Sequence, residues 1–263
     1  MRLGMIGEGA IATYVRQQLE ERGLAPSVVL LRPARLAMDT MPRDAVLRVG
    51  STNDLPDDIT HMIDCAGHSA LTEHGPAILR RGIDLTTVSI GALADATLAQ
   101  ELEAAAIEGG AKLHLVSGAV GALDCLQAAK VGLIEQVTYI GRKPPAGWRG
   151  SAAEQTVNLD QLGDTPTVHF EGSARQAALA YPKNANVAAA VAIAGVGMDA
   201  TQVQLIADPT VNANIHEIHA NGDFGSFSFR IEGRALAQNP RSSALAAMSV
   251  VSKIEQQIKT ILI

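Results

Sequence analysis

The chain has 263 residues, 47% apolar and only 3% aromatic, enough for one large or two modest domains with cores of Ala, Val, Leu and Ile. Its 21 basic against 27 acidic residues give a net charge of −6 with no block of Lys and Arg, which argues against a nucleic-acid partner. The two cysteines, Cys65 and Cys125, show no metal-type spacing, and no apolar run has the form of a signal peptide or the ~20 residues of a membrane span, so a reduced, cytoplasmic protein is expected.

In chain order, RLGMI is a short apolar strand that ends at Gly7, and IATYVRQQLEERG has helical spacing and stops at Gly23. SVVLL reads as a second strand and HMIDCA as a later one, followed by a helix, LTEHGPAILRRG, closing on Gly82. DLTTVS is again strand, ADATLAQELEAAAIEGG helix, and KLHLVS strand. Such alternation predicts βαβ units and a parallel sheet.

From about Gly118 the pattern changes. SGAVGALDCLQAAK is a Gly-rich turn entering a helix, while QVTYIG, TQVQLIA, ANIHEIHA and GSFSFRIEG read as strands of a second sheet. The last two are joined through NGDF, whose Asn-Gly is a hairpin signal. GRKPPAGW and NLDQLGDTP read as loops. The tail from Ser242 reads as a long amphipathic helix with Ser242 and Ser243 as caps. Two domains on one chain, without a flexible linker, are expected.

GEGAIA, residues 7–12, follows a strand and opens a helix, and it fits G-x-G-x-x-A. Gly7 allows the tight turn, and Gly9 lets the backbone approach a pyrophosphate. Ala10 and Ile11 begin the helix whose N-terminus attracts phosphate, and Ala12 allows close packing on the sheet. A dinucleotide site is therefore expected here. A strict NAD site carries Asp or Glu near the end of the second strand. This one ends in Arg32-Pro33-Ala34-Arg35, where an arginine can meet a 2′-phosphate, so both NAD and NADP remain open.

Seven segments occur in one order along the chain: GEGAIA, CAGHSA (65–70), VSIGALAD (88–95), VSGAVGALD (116–124), YIGRKPP (139–145), YPKNANVAA (181–189) and ADPTVNANIHEI (207–218). Together they resemble the L-aspartate dehydrogenase family over nearly the whole length. The resemblance implies NAD- or NADP-dependent oxidation of L-aspartate to iminoaspartate, which is hydrolysed to oxaloacetate and ammonia or passed on towards pyridine nucleotide biosynthesis. It also implies a homodimer of α/β fold. An N-terminal Rossmann domain with a doubly wound, mostly parallel sheet (1–118 plus 239–263) would carry a smaller α/β substrate and dimerisation domain (119–238), and the C-terminal helix would return to the first. By the same resemblance His216 is the catalytic histidine, and Ala119 and Asn186 contact the dinucleotide. The basic end of the second strand departs from a strict NAD pattern.

Oxidising an amino acid requires a neutral α-amine when hydride leaves Cα. A histidine, with an ordinary pKa of about 6.5, suits that proton exchange. His216 lies in a predicted strand, and His219, three residues on, faces the other side, which argues against a metal at HEIH. No metal is expected. YPKNAN precedes an apolar helix over 184–198. Of its polar residues Asn184 fits a cap, Asn186 a cofactor contact, and Lys183 or Asn184 could face a substrate carboxylate. Ala66, Gly67 and His68 follow one strand of the first domain and Ser89 and Gly91 the next, at the sheet edge where ligands bind. Ala66 and Gly67 are assigned to the cofactor and His68 to the substrate. Arg142 and Lys143, read as part of a loop, could bind a carboxylate or form a charged rim. Two other readings keep the dinucleotide site. One is an imine or aldehyde reductase of the dihydrodipicolinate reductase or homoserine dehydrogenase type, and the other a non-catalytic sensor that would not need His216.

Overall fold

A computed structural model of the chain describes residues 1–38, 46–182, 186–237 and 239–261. The chain divides into two compact units, Met1–Val116 with Ala246–Ile263, and Ser117–Leu245.

In the first unit, strands β1 (Leu3–Ile6), β2 (Val28–Leu30), β3 (Leu47–Val49), β4 (His61–Asp64), β5 (Asp84–Thr87) and β6 (Leu113–Leu115) alternate with helices α1 (Ala10–Glu20), α2 (Pro33–Met38), α3 (His68–Arg80) and α4 (Ala96–Gly109). All pairings are parallel and the spatial order is β3-β2-β1-β4-β5-β6, the doubly wound arrangement. The strands β1, β2 and β4 are buried along their whole length, as expected of a sheet covered on both faces. Their side chains join Leu71, Ile78, Leu85 and Leu102 in one core. Asp95 caps α4 by accepting from Thr97 N at 2.9 Å, and Gly110, with φ +65°, ends it in the left-handed conformation. Proline at the first position of α2 suits a helix start, where its missing N–H costs nothing.

The second unit contains α5 (Leu123–Ala129), β7 (Ile134–Lys143), β8 (Thr167–Ser173), α6 (Ala174–Ala180), α7 (Asn186–Ala194), β9 (Gln202–Ala207), β10 (Asn214–Gly222), β11 (Gly225–Gly233), β12 (Ala235–Leu236) and β13 (Asn239–Ser243), the last leading into α8 (Ala244–Gln256). Five of its strands form a mixed sheet in the order β11-β10-β7-β9-β8, in which only β7 and β9 run parallel. Helix α7 is buried on nearly every side and packs on α5, α6 and β7. Most of α8 belongs to the first unit, where Glu255 accepts from Arg22 Nε at 3.1 Å just beyond α1.

Three local readings need correction. Arg142 and Lys143 are the last residues of β7, not loop, because the ladder with β9 continues to Lys143 opposite Ala207. The hairpin turns at Asp223-Phe224, since Asn221 and Gly222 are still paired and Gly225, at φ +100°, supplies the unusual backbone angle. The tail helix runs only from Ala244 to Gln256, with Ser242 in β13 and Ser243, the last residue of that strand, directly before the helix at the cap position.

Candidate active site

In the first unit, β1 and β4 are neighbours at the point where the strand order reverses, and each is followed by a glycine-led helix start. Gly7 has φ +90°, and its N–H donates to Leu30 O at 3.0 Å. A Cβ built on Gly7 would lie 2.8 Å from Ala66 Cβ, while one on Gly9 would meet nothing within 4 Å. The two glycines thus serve different ends, close approach of two turns at Gly7 and open backbone at Gly9. Gly9 caps α1 without a side-chain hydrogen bond, so the first amides, around Ala10 and Ile11, face away from any capping group. Ala12 is buried against the sheet. This cradle fits a dinucleotide pyrophosphate.

Asp64, at the end of β4, braces the opposing turn. It is fully buried and accepts from Thr87 Oγ1 at 2.6 Å, Ser89 Oγ at 2.7 Å and Ala66 N at 2.8 Å. Burial raises its pKa, against the pull of those donors. Ser89 is therefore committed to Asp64. Gly67, at φ +103°, caps α3 and His68 is its first residue. Cys65 is buried, and burial pushes its thiol well up, which leaves it unreactive. Arg32 lies exposed after β2, its carbonyl accepting from the amides of Arg35 and Leu36 in α2. Glu8, within the glycine turn, pairs with Arg48 of β3 at 3.1 Å.

In the second unit the sheet register assembles a row of residues. His216 of β10 faces Gly141 of β7, Gly141 faces Leu205 of β9, and Leu205 faces Phe170 of β8. Tyr139 and Lys143 flank Gly141 by two residues and so share its face. Helix α7 covers that face, since a Cβ on Gly195 just beyond it would lie 3.3 Å from Val137 Cγ2. His216 is 4% exposed, and its Nδ1 shares a 2.8 Å hydrogen bond with the buried Tyr139 hydroxyl. Burial, and then the charge of Lys143, lower the His216 pKa to about 4. Burial also pushes the Tyr139 phenol well above its ordinary value, so that bond stays uncharged on the tyrosine side. His219 points to the opposite face, bonded to Ser228 Oγ at 2.8 Å.

Lys143 lies partly buried with its ammonium 4.8 Å from the centroid of the Trp148 ring, and burial lowers its pKa to about 8. Trp148 is fully buried and donates to Ile206 O at 2.9 Å. His169 meets the same indole edge-on, with ring centroids 4.4 Å apart. It occupies the bulge where β8 slips register between Val168 and Phe170, a device that re-aims a side chain. Its Nδ1 bonds Tyr181 Oη at 3.1 Å, and its buried Nε2 has no partner among the described residues. Burial, then Lys143, lower its pKa to about 4. Arg142, by contrast, is neutralised by Asp208 at 2.6 Å. Burial pulls the pKa of Asp208 up, but Thr210 and Arg142 outweigh it and hold the carboxyl low.

The expected residues thus separate into two groups. Gly7, Gly9, Ala10, Ile11, Arg32, Ala66, Gly67 and His68 lie along the strand ends and helix starts of the first unit, and His216, Ala119 and Asn186 belong to the second. Ala119 is buried in the turn before α5, between Gly118 at φ +67° and Ala122 at φ +60°. Asn186 is the first residue of α7, and Lys183 and Asn184 lie outside the described residues. Sequence reasoning missed Asp64, Tyr139 and His169, and left Lys143 among its weaker candidates. One metal-type group also comes together among the described residues, His61, Asp84 and His114. Its members bond Thr86 (2.7 Å) and one another (3.4 Å), and burial lowers the His114 pKa against the pull of Asp84, with Lys253 and Lys112 adding to the lowering.

Residues 124–257 match the family model described as aspartate dehydrogenase, C-terminal, and residues 3–116 match the homoserine dehydrogenase NAD-binding domain. The L-aspartate dehydrogenase of Ruegeria pomeroyi is 52% identical over 259 residues, covering 98% of this chain and 92% of its own. That of Ralstonia nicotianae is 45% identical, covering 95% of each. Among solved structures, aspartate dehydrogenase from Thermotoga maritima superposes with a TM-score of 0.77 at 25% identity, covering 100% of this chain and 99% of its own.

Proposed function

The chain belongs to the L-aspartate dehydrogenase family, and from that premise we propose that it oxidises L-aspartate to iminoaspartate with His216 exchanging the proton. The observation that carries this reading is the buried His216, one ring nitrogen tied to Tyr139 and the other left for substrate. Gly7, Gly9, Ala10, Ile11, Ala66 and Gly67 hold the dinucleotide, with Ala119 and Asn186 as further contacts. When bound, its oxidised nicotinamide accepts the hydride from Cα.

The chain's own residues manage the proton. The Tyr139 hydroxyl can donate to Nδ1 or accept from it. Accepting, it leaves Nε2 as a base for the α-ammonium; donating, it leaves Nε2–H as an acid for the reverse reaction. A pKa of about 4 keeps the free imidazole neutral and able to take up a proton, and the negative charge of an arriving dicarboxylate raises its basicity. Water then hydrolyses the imine to oxaloacetate and ammonia, or the imine passes on to pyridine nucleotide synthesis.

Both NAD and NADP are accepted in this reading, because Arg32 stands where a strict NAD site has an acidic residue. His68, Lys183 and Asn184 remain candidates on the substrate side. The family resemblance supports a homodimer, and a cytoplasmic location accords with the absence, among the described residues, of a helix long and apolar enough to cross a membrane. The test is the absorbance of reduced cofactor with L-aspartate, run with NAD and with NADP, against D-aspartate, L-glutamate and L-homoserine. Turnover confined to L-aspartate is expected. No turnover despite cofactor binding would contradict the assignment.

A further inference from the structure

Two groups in the second unit have no task in proton exchange at His216, and both lie against the same indole. Lys143 sets its ammonium over the Trp148 ring, and His169 meets that ring edge-on. The imidazole is 7% exposed, yet its Nε2 is buried and bonds to nothing among the described residues. An unmade hydrogen bond on a buried polar atom is costly, and a ligand that supplies the partner recovers that cost. The orientation of His169 is also strongly determined. The β8 bulge turns it inward, the Trp148 ring packs against it in a T-shaped contact, and Tyr181 Oη holds Nδ1. Burial keeps the Tyr181 phenol protonated. The Tyr181 hydroxyl can donate to Nδ1 or accept from it, and an anion at Nε2 selects the tautomer in which Tyr181 donates and the ring hydrogen sits on Nε2.

A cation and a neutral N–H donor at one buried aromatic wall recognise an anion, and a carboxylate has two oxygens to offer them. Arg142 cannot serve in place of Lys143, because it alternates to the opposite face of β7, where it pairs with Asp208. Resting on the reading of the substrate as aspartate, we propose that Lys143 and His169 Nε2 form the subsite for the substrate's side-chain carboxylate and so set the preference for a dicarboxylic amino acid. Lys143 shares its sheet face with Tyr139 and Gly141, and Gly141 stands opposite His216. An amino acid anchored by its far end at Lys143 therefore has its α-amine to present towards His216. The ammonium and both histidines are electrostatically coupled, and each gains from a neighbouring negative charge.

Trp148 is the single tryptophan of the chain, so its fluorescence reports on this wall without any turnover. The experiment is titration of the full-length protein, with saturating oxidised cofactor, by succinate and by propionate. Succinate carries both carboxylates and no amine; propionate lacks the second carboxylate. Succinate is expected to change Trp148 emission saturably and propionate far more weakly. Lys143→Met and His169→Phe should each weaken succinate by about tenfold or more, the loss of one charged hydrogen bond, and Lys143→Arg should retain most of the response. Equal wild-type responses to the two acids would overturn the subsite, and that arm needs no variant to fold. So would unchanged succinate affinity in both Lys143→Met and His169→Phe. Kinetics separate the two levels of inference. Wild-type turnover of L-aspartate, with variants that keep the wild-type preference over L-2-aminobutyrate, would overturn the subsite alone. Absence of L-aspartate turnover in the wild type would overturn the substrate reading, and the succinate titration would still decide whether the wall binds a dicarboxylate.

Discussion

His216 depends on a neighbour that has no room to move. A Cβ on Gly141 would lie 2.8 Å from Tyr139 Oη and 3.1 Å from Leu205 Cδ2. Gly141→Ala should therefore push the phenol off His216 Nδ1 without changing the chemistry of either side chain, and Tyr139→Phe should remove the bond directly. Both variants are expected to lose about 10–100-fold in kcat, since a misoriented base forfeits part of its contribution, with a smaller change in KM. Steady-state kinetics check this, and wild-type kcat in Gly141→Ala would contradict it. Lys143 adds a pH dependence. Its pKa of about 8 means that the free protein loses this charge above that pH, while His169 and His216, the titratable groups coupled to it, stay neutral. Succinate has no group that titrates there. Its binding should weaken about tenfold per pH unit above pH 8 in the wild type. In Lys143→Arg, whose guanidinium stays charged, binding should hold steady.

At the scale of elements, the glycine turn was legible because its chemistry is local. Gly7, Gly9 and Ala12 have separate backbone requirements within six residues, and the strand and helix around them have clean periodicity. Gly7→Ala meets two obstacles, a left-handed φ and the Ala66 methyl, and should cost about 1–3 kcal/mol together with much of the cofactor affinity. Thermal unfolding and cofactor titration would show both; unchanged cofactor affinity would contradict the role given to the turn. The second unit was less legible. TVHFEGS alternates poorly because His169 sits in a bulge, so β8 went unread and the histidine with it. Pro144-Pro145 made the end of β7 look like loop, although the prolines only stop a strand that runs to Lys143. Tyr139, His169 and His216 come from three different strands, and no spacing in the sequence announces that Tyr139 bonds His216 or that His169 meets the same indole as Lys143. The family resemblance supplied His216; the geometry brought in its neighbours.

At the scale of the whole molecule, three buried histidines dominate the acid response. Burial is the first cause of lowering for each of His61, His169 and His216, and each stands at about 4. The unfolded chain binds protons at these sites near pH 6.5, while the folded chain resists until about 4. Stability is therefore fullest above pH 6.5 and is lost as pH falls through that interval, by up to about 1.4 kcal/mol per pH unit for each histidine. Denaturant midpoints taken between pH 7 and pH 4.5 should fall steeply, and a flat profile would contradict the burial of these rings. The α/β class and the parallel half were legible at this scale, because regular alternation of strand and helix has few other solutions.

The most direct test of the account pairs turnover with cofactor binding in His216→Ala. L-aspartate-dependent reduction of cofactor should fall by about 100-fold or more, while the affinity for the cofactor, proposed to rest on the glycine turns with Ala119 and Asn186 and not on His216, should stay within about twofold of the wild type. Retained turnover in that variant would remove His216 from the chemistry and contradict the account at its centre.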